Sequence, residues 1–494
     1  KEVTQHLDPI SDLLATEFDL LPLNETFKHL HFPDDQELTI KARERLAIEE
    51  LLGLMQHSAE IKQQWKDNAS AHLVTVDKEN SIPDLPFTLT SAQQRSTREL
   101  LVDIQSTTPM NRLLLGDVGS GKTVVAGIAT LHTLNNNHHV AFIAPTQILA
   151  EQHLETLSKL FPQINIQLLT AKTKFSLAEK PTLYLGTHAV INKLQQIKPA
   201  LVIYDEQHRF GVEQRSEISK LTFRPHILTM SATPIPRSLM LTIFSHLELS
   251  VIDEMPAGRK PIKTWLASEK KRAGSYDWIK KKLRESGGQV LVVCPFIEHS
   301  EHEAFANVKS ATETFAEIKP QFPDQKVELL HGRLTSDQKD KITKRLFDQK
   351  IDILVTTPIV EVGIDLPAAL IIIIESAERF GLASLHQLRG RVGRAGQQAY
   401  CLLFPSSKSP TISQRLDVFT KTNDGIKLAE FDLQNRGAGD LFGTNQHGFD
   451  QLQFSNWTNI ELITKAKQIF DELKSSQITW KSVISRQSTT PTAN

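Results

Sequence analysis

Cysteine is nearly absent from this chain. Only Cys294 and Cys401 occur, each inside an apolar run, LVVCP and AYCLLF. A disulfide-built scaffold is therefore excluded, and the two thiols read as buried and reduced, as in a cytoplasm. An excess of either charge is lacking too. Lys and Arg number 56 against 57 Asp and Glu, a net charge of −1. No overall field draws the chain to nucleic acid or to a membrane, so any such contact needs a local basic surface. A signal-peptide pattern and a long apolar span are also missing. The most apolar run, AALIIII from Ala368 to Ile374, falls far short of the ~20 residues that cross a bilayer. It reads as a buried strand, and the expectation is a cytoplasmic protein with no membrane partner.

What is present is the length and texture of an α/β protein. At 494 residues about three domains are expected. Residues 1–80 read as helical. In Thr39 to Gln56, Ile40, Ala47, Leu51, Leu54 and Met55 are expected on one helical face, interrupted by Glu44. Pro33, Asp34 and Asp35 mark a helix start just upstream. Val76 to Pro86 reads as a loose linker. From Phe87 short apolar runs alternate with helical stretches: RLLL, VAFIAP, IQLLT, LYLGT, ALVIYDE and ILTMSAT. The rhythm restarts after Ile262 with QVLVVCP, VELLH, DILVTT, ALIIIIES and AYCLLF. This is the pattern of parallel sheets with crossover helices. The expected domains are 81–262 and 263–408, with a helical or irregular region over 409–494 that ends in a frayed tail.

The chemistry starts at GDVGSGKT, Gly116 to Thr123. A strand precedes it and an apolar helical stretch follows. Gly116, Gly119 and Gly121 let backbone N–H groups close around phosphates at a helix N-terminus. Lys122 is placed to reach the β- and γ-phosphates of ATP, and Thr123 to offer a hydroxyl to Mg²⁺. The run LVIYDEQH ends a strand on Asp205 and Glu206. Asp205 is expected to hold Mg²⁺, and Glu206 to orient or deprotonate the attacking water. The second α/β domain has no such loop but carries QLRGRVGR, Gln387 to Arg394. Arg391 and Arg394 are three apart, so a helical turn would put both on one face. They read as arginine fingers across a cleft; a solvated basic helix or a nucleic-acid patch would share the spelling. ATP held between two lobes makes a motor.

The set of motifs resembles the superfamily 2 helicases, which implies two tandem RecA-like domains. FTLTSAQ, Phe87 to Gln93, looks like the adenine-reading motif, with Gln93 as base reader. APTQILAEQH and GTHAVI look like DNA-backbone segments, MSATPIPR like the coupling motif, and HGRL and VTTPIVEVGIDLP like second-lobe motifs. The resemblance implies nucleotide contacts at Gly363 and Asp365. It also implies coupling or DNA roles for Gln207, His208, Ser231, Thr233, Thr146, Thr187, Thr356 and Gln387. Over roughly Phe27 to Gly448 the closer similarity is to the RecG family of fork-remodelling helicases, through PMNRLLLGDVGSGKTVVA, DEQHRFGVEQR, VIDEMPAGRKPI and ERFGLASLHQLRGRVGRAGQ.

That resemblance gives a meaning to DLQNRGAGDLFGTNQHG, Asp432 to Gly448, which holds four of the chain's 22 glycines. No strand pattern leads into it, so it is not a nucleotide loop. It looks like the TRG motif, a helical hairpin and loop that couples lobe movement to translocation, with Arg436 pairing a carboxylate or a phosphate. Two departures stand out. Ala171 sits where the family usually has glycine, which puts a first-lobe DNA contact in question. Residues 1–80 show no five-strand pattern, so most of the family's N-terminal OB-fold wedge is expected to be missing, as in a fragment.

The implied function is an ATP-dependent double-stranded DNA translocase or helicase acting on replication forks and Holliday junctions in recombination and repair. ATP and Mg²⁺ are the implied cofactors. Branched or duplex DNA and a single-stranded DNA-binding protein are the implied partners, and a monomer the implied state. The alternatives are an Mfd-like transcription-repair translocase, which needs a polymerase-binding module, and a non-catalytic nucleic-acid-binding scaffold.

Overall fold

The computed structural model describes residues 10, 12–67, 71–77, 81–170, 173, 175–206, 224–234, 236–242, 244–256, 258–296, 310–358, 366, 368–394, 396–407, 409–436 and 458–475. Two compact units form. The larger holds residues 69–234 and 248–428; the smaller joins 1–68, 235–247 and 429–494. Residues 69–80 and 409–428, which the sequence reading grouped with the flanking regions, thus belong to the larger unit.

The larger unit carries two sheets. The first contains β1 (Asn111–Gly116), β2 (Val140–Ile143), β3 (Ile166–Leu169), β4 (Leu183–Gly186), β5 (Leu201–Asp205), β6 (His226–Ser231) and β7 (Glu248–Ile252). Their order is β3-β4-β2-β5-β6-β1-β7, and every pairing is parallel. The second contains β8 (Lys263–Leu266), β9 (Gln289–Val293), β10 (Val327–Leu330), β11 (Ile353–Thr356), β12 (Ala369–Glu375) and β13 (Tyr400–Phe404). It runs β10-β11-β9-β12-β13-β8, again all parallel. The central strands are apolar and buried along their whole length, as a sheet covered by helices on both faces requires. Because β5, β6 and β1 are neighbours, the loops at their C-terminal ends meet at one edge. Cys401 lies on β13 and Cys294 just past β9; neither forms a disulfide and both are fully buried. Burial pushes the Cys401 thiol up to about 12, so it is not a nucleophile at neutral pH.

In its described residues the segment read as a loose linker, together with the residues just before it, is instead strapped to the first sheet's core. Val74 and Val76 are buried there, and Ile82 and Leu85 pack against it. Ala71 N donates to Thr107 O at 2.7 Å and Val74 N to Ile104 O at 3.1 Å. His132 Nε2 meets Ser81 O at 2.9 Å.

The smaller unit is helical in its described residues. Its long helix, Gln36–Asp67, starts where Asp35 Oδ1 accepts from Glu37 N and Leu38 N at 2.7 and 3.2 Å, an N-cap at the expected place. Ala47, Leu51, Leu54 and Met55 are buried, but Ile40 is 59% exposed and does not join the core. Leu51, Leu52 and Met55 pack with Ile463, Ala466 and Ile469 of the helix Ile460–Ser475. Glu44 is accommodated beside them because Lys465 Nζ donates to it at 2.6 Å. No described helix is long and apolar enough to cross a membrane. Of the glycine-rich stretch, residues 437–448 lie outside the described residues; its first five residues close the helix Gly425–Arg436.

Candidate functional site

The phosphate loop leaves β1 at Gly116 and enters the helix Lys122–Asn135. Two glycines are required by conformation. Gly119 has φ +82° and Gly121 φ +90°, and a Cβ on Gly121 would lie 2.2 Å from Gln93 Nε2. Lys122 is half-buried, and Nζ donates to Gly116 O at 2.7 Å and to Asp117 O at 3.2 Å. Burial pushes its pKa down, against the opposing charges of Glu206, Asp205 and Asp117. Ser120 Oγ is buried with no hydrogen-bond partner, an acceptor and donor available inside the loop. Thr123 is half-buried on the first turn of the helix.

Gln93 is 2% exposed. Its side chain is already used twice, accepting from Thr90 N at 2.9 Å in a capping box and donating to Ser120 O at 2.8 Å. Whatever it reads of a base, Gln93 braces the phosphate loop from the helix Ser91–Ile104.

At the end of β5, Asp205 is 8% exposed and accepts from His153 Nε2 at 2.9 Å. Burial alone would raise its pKa, but the His153 bond and the charges of His153, Lys122 and Arg391 outweigh it and hold the carboxyl below its ordinary value. His153 was missed as a site residue. It ends the run APTQILAEQH, and only the fold brings it to Asp205. Glu206 has φ +56°, a left-handed conformation costing about 1–2 kcal/mol in a non-glycine residue. Its carboxylate accepts from Ala232 N at 3.0 Å and Ser231 Oγ at 3.4 Å. Burial and then the Asp205 charge push its pKa up.

The neighbouring carboxylates are thus driven apart, Asp205 towards the ionised metal-binding form and Glu206 towards a base that can take a proton. The pair titrates together. If Glu206 acts as base, the acid limb of kcat/KM for ATP should lie above the ordinary glutamate value of 4.5. Activity is then lost as pH falls through that raised value. A pH–rate profile checks this, and an acid limb at or below 4.5 removes Glu206 from that role.

The residues that follow β6 reach the domain of the second sheet. Thr233 N donates to Ser231 Oγ at 3.0 Å, and Gln387 Nε2 donates to Thr233 Oγ1 at 2.7 Å. The arginines need a correction. The helix Leu382–Arg389 stops before them, and Gly393 has φ +73°, so Arg391 and Arg394 sit in turns rather than on one helical face. Arg391 is 5% exposed, and its charge acts on Lys122, Asp205 and Glu206. Arg394 folds back on its own loop, Nε donating to Gly390 O at 3.4 Å.

The residues expected to couple or to touch DNA fare unevenly. Thr146 caps the helix Gln147–Leu160, accepting from Leu149 N at 3.3 Å, and stays half-buried. Thr187 is half-buried at the start of the helix His188–Ile191. Thr356 is corrected: it is fully buried at the end of β11 and donates to Thr357 O at 3.0 Å, so it cannot touch a DNA backbone from there. Gln207, His208, Gly363, Asp365, Ala171 and the Arg436 side chain lie outside the described residues.

Neighbouring groups of opposite charge beside a glycine-rich loop suit a polyphosphate with its cation. Among the described residues no cluster of three His, Cys, Asp or Glu could hold a metal.

Residues 90–242 match the DEAD/DEAH box helicase model, and residues 274–396 match the helicase conserved C-terminal domain model. The chain is 41% identical, over 91% of its length, to the ATP-dependent DNA helicase RecG of a Synechocystis species, of which it spans 56%. It is 38% identical over 96% of its length to RecG of Bacillus subtilis, of which it spans 71%. A solved structure of RecG bound to a three-way DNA junction is 36% identical, with a TM-score of 0.76 over 94% of this chain and 62% of that one. The chain thus spans between about half and three quarters of the length of these relatives. On sequence and fold together, it belongs to the RecG family of ATP-dependent DNA helicases.

Proposed function

We propose that this chain is an ATP-driven double-stranded DNA translocase that remodels stalled forks and other branched DNA in recombination and repair. The observation that carries the reading is the gathering of Lys122, Asp205 and Glu206 within the field of Arg391, which comes from the domain of the second sheet. In this reading residues 81–262 and 263–408 are the two RecA-like lobes. Residues 1–80 are a helical segment, and 409–494 carry the TRG-like region. Membership of the RecG family favours it over the Mfd-like alternative, and the filled catalytic set favours it over an inert scaffold.

Each residue then has a task. Lys122 and the Gly116–Thr123 backbone bind the β- and γ-phosphates of ATP. Thr123 and Asp205 hold Mg²⁺, which when bound neutralises charge on the phosphate oxygens. Glu206 accepts a proton from the attacking water. Arg391 stabilises the charge that develops on the transferred phosphoryl group. Ser231 and Thr233, tied to Glu206 and Gln387, pass the change to the second lobe, and Arg436 couples it to movement on DNA. Gln93, Gly363 and Asp365 complete the nucleotide contacts; Gln207, His208, Thr146 and Thr187 serve coupling or the DNA backbone. The expected setting is a bacterial cytoplasm, with the chain acting as a monomer and meeting a single-stranded DNA-binding protein at forks.

Strand separation of a three-way junction tests this. With ATP and Mg²⁺ the chain should displace a labelled arm, and a non-hydrolysable analogue should stop it. Because phosphate contacts dominate DNA affinity, binding should fall steeply with salt. Displacement that proceeds without hydrolysis would refute the motor reading.

A further inference from the structure

Beside the catalytic groups, a second set of polar contacts joins the phosphate loop to the other sheet. Asp117, the loop's second residue, accepts from His386 Nε2 at 2.9 Å. On the far side of the ring, Arg389 Nη2 donates to His386 Nδ1 at 3.0 Å. Arginine can only donate, so Nδ1 is the acceptor and the proton sits on Nε2. The imidazole is held as one neutral tautomer, pointing its single N–H at Asp117. Arg389 is itself fixed, donating to Phe419 O at 3.0 Å and Thr422 O at 2.9 Å and lying over the Phe419 ring. Gly425 packs so close that a Cβ there would meet both Asp117 Oδ1 and His386 Nε2 at 2.9 Å.

A parallel bridge runs alongside. Arg259, between the two sheets in sequence, donates to Val118 O of the loop and, through Nη2, to Gly390 O at 3.0 Å. Gly390 lies close against the loop, since a Cβ there would be 3.0 Å from Val118 Cβ, a tight contact. Burial would raise the Asp117 pKa, but the His386 hydrogen bond, with the charges of Lys122 and Arg259, holds it down. The carboxylate thus stays ionised for its partner.

We propose that Asp117, His386 and Arg259 are positioning residues that set the phosphate loop in register with Arg391. This rests on the reading of the site as an ATPase. The geometric reason is adjacency. His386 precedes Gln387, which holds Thr233, and Gly390 precedes Arg391. The same turn that grips the loop therefore carries the finger. Loosening it leaves the phosphate contacts intact and moves the arginine off its target, and a displacement of about 1 Å can cost on the order of 10²-fold in rate.

The test measures ADP affinity, using a fluorescent ADP analogue, and steady-state ATP hydrolysis in the full chain. His386→Ala should lower kcat by roughly 10- to 100-fold while ADP affinity stays within about twofold. His386→Gln should recover most of the rate, because its amide can donate to Asp117 and accept from Arg389. Arg259→Ala should reproduce the kcat loss. Unchanged kcat in His386→Ala overturns the proposal, and so does a joint loss of affinity and rate that glutamine does not restore. If the unmodified chain neither binds the analogue nor hydrolyses ATP, the ATPase reading itself fails, which is a separate outcome.

Discussion

Arg391→Ala should lower ATP turnover by on the order of 10³-fold or more, the range for a true arginine finger, with nucleotide binding mostly kept. Arg394→Ala should cost far less. The sequence offers both arginines equally, three apart in RGRVGR. The structure separates them. Arg391 is 5% exposed and its charge acts on both strand-end carboxylates and on Lys122. Arg394 spends its Nε on Gly390 O. A charge facing a developing anion in a buried site is worth far more than the same charge at the surface. Steady-state hydrolysis with saturating DNA, paired with nucleotide binding, checks the ranking. Equal losses in the two variants would mean the turn closes further around ATP than its geometry here implies. A change in DNA affinity alone would make this a basic patch.

Lys122→Ala should abolish measurable turnover, a fall of at least about 10²–10³-fold. Lys122 is the one cation in the loop itself, and burial already strains its charge against water. The compensating anions are Glu206, Asp205 and Asp117. Removing the ammonium deletes the phosphate contact and also leaves three carboxylates facing the incoming polyphosphate without their counter-charge. Both effects weaken ATP, so binding should fall together with rate, unlike the Arg391 variant. Phosphate release near the unmodified rate in Lys122→Ala would refute the assignment of the loop.

Much of this was legible in the sequence, for physical reasons that differ from element to element. The buried parallel strands announce themselves as continuous apolar runs, and each such run is a strand. The strands that escaped are β7 and β8, which end their sheets. β7 alternates buried with half-exposed residues, and β8 is largely exposed, with Trp265 and Leu266 in the open. An edge strand can do without an apolar run, as these two do, whereas the opposite edges, β3 and β10, keep theirs in IQLL and VELL. Ile40 sits on the expected helical stripe but at the helix's first turns, beyond the reach of the packing partner, which covers Ala47 to Met55. The glycines of RGRVGR were a readable signal against a helix, since Gly393 takes φ +73°.

The candidate site residues were legible because each motif is local: a loop between strand and helix, or two acids at a strand end. The contacts that assemble them were not. His153 to Asp205, Gln387 to Thr233 and His386 to Asp117 join residues 52, 154 and 269 positions apart. Nothing in the spacing of such residues encodes their meeting; the strand order does.

The central claim is that this chain couples ATP hydrolysis to duplex DNA. The most direct measurement is phosphate release by the unmodified chain with and without double-stranded DNA, at moderate salt, with Lys122→Ala as the blank. The account predicts low turnover without DNA, a clear rise on adding duplex or junction DNA, and a flat blank in both. Turnover that ignores DNA, or that persists in Lys122→Ala, would contradict it.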